Sequence, residues 1–162
     1  SGAVLATVTA TARPATGCNS QPLGAMRYRA AASPAFMARH FADGVTAGTL
    51  ARAPSLVFSP KDELQARWAR RLCHRHVELP RHTLPSPQAF ATAALAGMGW
   101  GMQLEVLVAE HLKDGTLVEL VPGTPLDVPL YWQQARAASG VLEGLSRGVL
   151  GAARRGLLAP AP

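Results

Sequence analysis

The chain has 162 residues, 48% hydrophobic and 16% charged, which makes it globular rather than disordered and long enough for one domain with a real core. Its net charge of +6 comes from fourteen Arg and two Lys against ten acids, but the basic residues are dispersed as Arg27/Arg29, Arg67/Arg70/Arg71/Arg75 and Arg154/Arg155. With no aromatic interleaving and no groove-reading motif, nucleic-acid binding by this segment is not expected. No run approaches the roughly 18 to 20 apolar residues of a membrane span and no secretory signal is visible, so a cytoplasmic protein without membrane contact is expected.

Residues 3 to 9 read as a strand, and Arg13 to Pro22 as a polar connector. Gly24 to Ala32 reads as the next strand, followed from Pro34 by a helix with Phe36, Met37, His40 and Phe41 on its apolar face. A helical turn near Thr46 to Ala51 leads to a strand over Ser55 to Phe58. The next helix carries Leu64, Trp68 and Leu72 at i, i+4, i+8, with acids in its first turn and Arg70 and Arg71 in its last, as the helix dipole favours. His76 to Leu84 reads as a strand, and a third helix is marked by Phe90, Ala94, Leu95 and Met98. Gly97, Gly99 and Gly101 interrupt it around Trp100 and permit close backbone approach, so Trp100 is a candidate lining of a site. Leu104 to Leu112 recovers helical spacing, Thr116 to Val121 and Val128 to Gln133 read as strands, and Ser139 is placed to cap a final helix before a fraying tail over Arg154 to Pro162.

Three serine-proline pairs punctuate this order: Ser33-Pro34 after RYRAAA, Ser59-Pro60 after PSLVF and Ser86-Pro87 after RHTLP, at intervals of 26 and 27 residues. A serine hydroxyl caps an otherwise orphaned backbone N–H, and proline suits the first helical position, so each pair reads as a strand running into a helix N-terminus. Repeated units of that kind imply an α/β fold with a mostly parallel sheet, whose strand C-termini and helix N-termini line a ligand crevice suited to a carboxylate. Cys18 and Cys73 form no disulfide framework, and Cys73-His74-Arg75-His76 lacks the paired spacing of a zinc site, so neither metal nor cofactor is expected. The remaining histidines have no acid or nucleophile at catalytic spacing, and no G-x-S-x-G or phosphate-loop motif occurs, so no catalytic residues are assigned.

The segments GCNSQPLGAMRYRAAASPAFMARHF at 17 to 41, APSLVFSPKDELQ at 53 to 65, Pro85 to Phe90, AGMGWGM at 96 to 102 and PLDVPLYWQQ at 125 to 134 run in the order found in LysR-type transcriptional regulators. The chain resembles the effector-binding part of that family, most closely the branch controlling lysine and arginine export. The resemblance implies a type 2 periplasmic-binding-protein-like fold with an effector held between two lobes. Residues 1 to 16 would be part of the first lobe, 17 to 125 the second lobe, and 126 to 162 a hinge strand and helix returning to the first; the winged helix-turn-helix lies outside this sequence. It further implies a small-molecule effector, an amino acid such as lysine or arginine or another carboxylate. DNA contact would come only through the N-terminal domain, with RNA polymerase and a second copy of the protein as further partners.

Carried over residue by residue, the sensing positions are Thr9, the loop Phe58, Ser59, Pro60, Lys61 and Asp62, and Ser86, with Asp62 and Glu105 as cation partners. The branch reads close to FNRKD where this chain has FSPKD, and a proline follows its GWGM where this chain has Gln103-Leu104. A solute-binding protein and an enzyme are the alternative readings of the same fold.

Overall fold

A computed structural model describes residues 5–160. They divide into two compact units: one comprises the residues up to Arg27 together with those from Asp127 onward, and the other is Tyr28–Leu126. The reading from sequence places the start of the second lobe near residue 17; the contacts place Cys18 to Arg27 with the first unit.

In the first unit, β1 (Ala6–Thr9) pairs antiparallel with β7 (Leu126–Ala135), Thr9 opposite Tyr131, and β7 also neighbours β2 (Cys18–Ala32). The polar connector expected up to Pro22 is strand from Cys18 onward. Cys18 to Gln21 alternate half-buried and exposed, a strand period carried by polar residues and so invisible to a hydrophobic pattern. Helix α6 (Glu143–Gly156) buries Ala153 beside Leu23 and Trp132, with Val149 and Leu150 packed around them. Ser139 does not cap this helix. It closes a 3-10 turn over Arg136–Ala138, where its hydroxyl donates to the Arg136 carbonyl at 3.0 Å. Nor does the chain fray directly after Arg154: the Leu158 N–H and carbonyl both bond Ala25 at 3.0 Å, while the last two residues of the expected fraying tail lie outside the described residues. Gly24 makes this possible, since a Cβ there would lie 2.2 Å from the Leu158 carbonyl oxygen.

The second unit begins in the last five residues of β2. Tyr28 to Ala31 pair antiparallel with β5 (Gly101–Leu104), and Ala31 and Ala32 with β6 (Val118–Glu119). The mostly parallel sheet expected from sequence is replaced by mixed pairing. The parallel part is β3 (Ser55–Val57) with β4 (Arg81–Thr83) on one side and a bridge to Trp100 on the other. Of the strand expected over His76 to Leu84, only these three residues join a ladder.

Around the sheets lie α1 (Pro34–His40), the short α2 (Ala47–Leu50), α3 (Leu64–Cys73), α4 (Pro87–Leu95) and α5 (Glu105–Asp114). One core cluster gathers Phe36, Phe41, Leu50, Trp68, Trp100 and Met102; another gathers Leu56, Phe90, Val108 and Leu117. The glycines beside Trp100 are required by packing. A Cβ on Gly99 would stand 2.8 Å from Leu56 Cδ2, and one on Gly101 2.8 Å from Phe90 Cε1.

The serine-proline pairs separate into two kinds. Ser33 Oγ accepts from Phe36 N at 3.1 Å and Ser86 Oγ from Ala89 N at 3.3 Å, so both are N-caps with proline next. Ser59 is not. Helix α3 starts five residues later, at Leu64, and Ser59 instead accepts from Lys61 N at 3.2 Å within a turn. The capping acceptor there is Asp62, whose carboxylate takes the Leu64 N–H at 3.0 Å.

Ser33→Ala, which leaves a buried helix-start N–H unpaired, lowers stability by about 1 to 2 kcal/mol, whereas Ser59→Ala changes it by no more than about 0.5 kcal/mol; urea denaturation of both variants checks the contrast. Gly101→Ala costs about 1 to 3 kcal/mol through overpacking against Phe90, read as a lower denaturation midpoint at unchanged slope.

Candidate functional site

In the second unit, β3 and β4 run parallel and end side by side, with the Leu84 N–H donating to the Val57 carbonyl at 2.9 Å. Each strand end passes into a helix through a short turn: Phe58–Asp62 toward α3, and Leu84–Ser86 toward α4. In α/β sheets the region beyond adjacent parallel strand ends is where ligands bind, because strand-end turns and helix-start N–H groups converge there. Within this unit, the Phe58–Asp62 loop and Ser86 therefore lie along one edge, beyond the ends of β3 and β4.

The Phe58–Asp62 turn is held by one carboxylate. Asp62 Oδ2 accepts from Phe58 N at 2.9 Å and Oδ1 from Leu64 N at 3.0 Å, while the Ser59 carbonyl accepts from Asp62 N at 3.0 Å. The acid spans the turn from its first residue to the first residue of α3. With the backbone fixed in this way, Phe58 stays 43% exposed, and Lys61 of the same turn is exposed as well. Ser86 Oγ, besides capping α4, donates to Gln88 Oε1 at 3.2 Å.

The other sequence-predicted positions take different roles. Trp100 is completely buried, its ring 5.3 Å from that of Trp68, so it is core and not a ligand contact. Glu105 already has a cation. Arg29 Nε donates to its carboxylate at 2.6 Å, and Arg29 Nη1 to Glu119 at 3.2 Å. Burial works against the charge of Arg29, but the hydrogen bonds to Glu105 and Glu119 outweigh it and hold the guanidinium pKa above its ordinary value. Thr9 belongs to the first unit, at the end of β1, and its hydroxyl accepts from Thr11 N at 3.1 Å.

Sequence reasoning missed Tyr28 and Arg29, whose partners lie far along the chain and leave no local signal. Burial, and then the charge of Asp62, raise the Tyr28 phenol above its ordinary 10.0.

The sequence profile of the LysR substrate binding domain matches residues 4–150. The chain belongs to the LysR substrate-binding domain family. Its fold is therefore the α/β, periplasmic-binding-protein-like fold of that family, as expected from its sequence. The transcriptional regulator ArgP of Pseudomonas fluorescens strain Pf0-1 is 47% identical over 143 residues, which are 87% of this chain and 47% of that protein. The C-terminal domains of a LysR family protein from Agrobacterium tumefaciens match with a TM-score of 0.92 and 57% identity, covering 97% of this chain and 76% of that one. A full-length LysG from Corynebacterium glutamicum with bound effector Arg matches with a TM-score of 0.81 and 35% identity over 96% of this chain and 52% of that one. The chain spans about half the length of the curated relatives it matches.

The raised pKa of Tyr28 makes a testable alkaline signature. The fold favours the neutral phenol, so this contribution is complete below pH about 10 and is lost as pH climbs through the raised folded value, where the unfolded chain has already released its proton. Tyr28→Phe flattens the fall in melting temperature above pH about 10, measured by circular dichroism across an alkaline series.

Proposed function

We propose that this chain is the effector-sensing domain of a LysR-type transcriptional regulator and that its effector is a small amino acid, with arginine and lysine the first to test. The observation that carries this reading is the edge where β3 and β4 end together. That edge carries the exposed Phe58, together with Ser59, Ser86 and the turns leading into α3 and α4, and the relative LysG of Corynebacterium glutamicum carries bound Arg.

The roles follow from chemistry. The Phe58 ring offers an apolar face to an alkyl stem or a guanidinium plane. The Ser59 and Ser86 hydroxyls and the N–H groups at the start of α4 suit an α-carboxylate. Asp62 fixes the turn and brings a negative charge close to where an ammonium would rest. Thr9 is a further candidate contact, carried by the first unit. Trp100 and Glu105 drop out, one for lack of exposure and the other because Arg29 occupies it.

In this reading the protein senses rather than catalyses, works in the cytoplasm as a homo-oligomer, and reaches DNA and RNA polymerase through parts of the regulator beyond these residues. No helix among the described residues is long and apolar enough to cross a membrane.

Titration calorimetry of the full-length regulator is expected to show saturable binding of arginine or lysine, weakened about tenfold by Phe58→Ala and several-fold by Ser86→Ala, with melting curves corrected for the lost cap. Absence of heat with both amino acids removes the effector assignment; binding unchanged in both variants moves the effector away from this edge.

A further inference from the structure

The strand registers of the Tyr28–Leu126 unit put one more side chain on the edge where β3 and β4 end. Ser55 bridges Trp100 in parallel, and Trp100 runs straight into β5, so β3 and β5 point the same way. β2 pairs antiparallel with β5, Ala31 opposite Gly101 and Tyr28 opposite Leu104. Tyr28 therefore stands level with the last residue of β5, at the same end of the sheet as Phe58 and Leu84.

Successive side chains of a strand alternate between faces, and those of β2 sort accordingly. Ala30 and Ala32 belong to the core cluster of Phe36, Trp68 and Trp100, and Tyr28 packs against it, as does Leu64 at the start of α3. Ala31 belongs to the other cluster, with Phe90 of α4, and Arg29 is committed to Glu105 and Glu119. Tyr28 thus occupies the α3 face of the edge, the face on which Asp62 caps that helix. The charge of that carboxylate is felt there: burial first, and then Asp62, raise the Tyr28 phenol above its ordinary value.

The phenol is half-buried, and no described residue hydrogen-bonds its hydroxyl. A tyrosine hydroxyl in such surroundings ordinarily finds a partner. With Asp62 close by, the partner that suits is a cation: the carboxylate supplies the charge and the phenol oxygen a further acceptor. Tyr28 lies two strand spacings from β3 and three from β4, roughly 10 and 14 Å across the sheet. A ligand held by its carboxylate at Ser86 and the start of α4 reaches that far only with the end of an extended side chain. We propose that Tyr28 is an effector contact of this edge, its oxygen accepting from the side-chain ammonium or guanidinium group of a basic amino acid, and that it selects for that cation. This rests on the amino-acid reading above and gives the ligand a direction, carboxylate toward α4 and cation toward β2.

Titration of the full-length regulator with arginine, lysine and norleucine tests the assignment, since norleucine keeps the α-groups and the alkyl chain without a cation. Tyr28→Phe, which keeps the ring and removes the acceptor, is expected to weaken the basic amino acids at least about tenfold, as loss of a bond to a charged group does. Norleucine binding stays within twofold of the parent, and so the preference for a cation shrinks, with the unliganded melting temperature at pH 7 unmoved. If Tyr28→Phe binds arginine and lysine within twofold of the parent while Phe58→Ala weakens them, Tyr28 is no contact and the edge site stands without it. A loss shared equally by norleucine, or a lowered melting temperature, makes Tyr28 a packing residue and overturns the assignment too. Binding of neither basic amino acid by the parent removes the amino-acid reading, and this contact with it.

Discussion

β3 is three residues long, is buried at every position, and is hydrogen-bonded along both edges. On one side the Pro80 carbonyl accepts from both the backbone and the hydroxyl of Ser55, at 2.8 and 2.7 Å; on the other, Leu56 N reaches the Trp100 carbonyl at 2.7 Å and Trp100 N returns to Pro54 at 3.1 Å. So short a strand has little intrinsic stability, and its position depends on these neighbours. The neighbours approach so closely only because Gly99 and Gly101 have no side chains to meet Leu56 and Phe90. Everything at the candidate edge hangs from this strand: its last residue hands the chain to Phe58, and its carbonyl at Val57 fixes Leu84, hence Ser86.

This arrangement explains which parts of the structure could be read from residues alone. Ser33 and Ser86 satisfy the local rule for an N-cap, and nothing in the tertiary structure overrides it. Ser59 satisfies the same rule and is not a cap, because Asp62, three residues on, is a charged acceptor that bridges Phe58 and Leu64 and so delays the helix. The choice between a serine and a nearby aspartate depends on where the strand ends, which the local sequence does not determine. The glycines around Trp100 are legible as sites of close backbone approach. That the approach serves the core, and not a ligand, depends on Leu56 and Phe90, which lie elsewhere in the chain.

The Arg29 cluster shows the same limit for charge. In the sequence, Arg29, Glu105 and Glu119 are unremarkable surface residues separated by 76 and 90 positions. Antiparallel pairing of β2 with both β5 and β6 brings them together on the second unit, where their side chains are 21%, 34% and 16% exposed in turn. At that burial, screening by water is weak and an arginine with two carboxylates is a network rather than a solitary surface pair. Two of the sixteen basic side chains, Arg27 and Arg29, are thus held in ion pairs with acids already counted in the net charge of +6.

The internal bonding of the Phe58–Asp62 turn bears directly on how the proposed sensing site would discriminate. A loop ordered only when the ligand arrives spends part of the binding energy on its own ordering, and affinity falls accordingly. Here the ordering is built in: the carboxylate of Asp62 and the carbonyl of Ser59 hold the turn from within, using no atom of Phe58 beyond its backbone N–H. The ring and the neighbouring hydroxyls are thereby presented in a fixed frame, with the two backbone bonds to Asp62 independent of any ligand. In the proposed site, substituting the turn's serine or proline would change what a ligand touches; substituting its aspartate would change the frame itself. A domain with the frame and the contacts on different residues can vary its effector through the exposed positions while the fold that positions them stays in place.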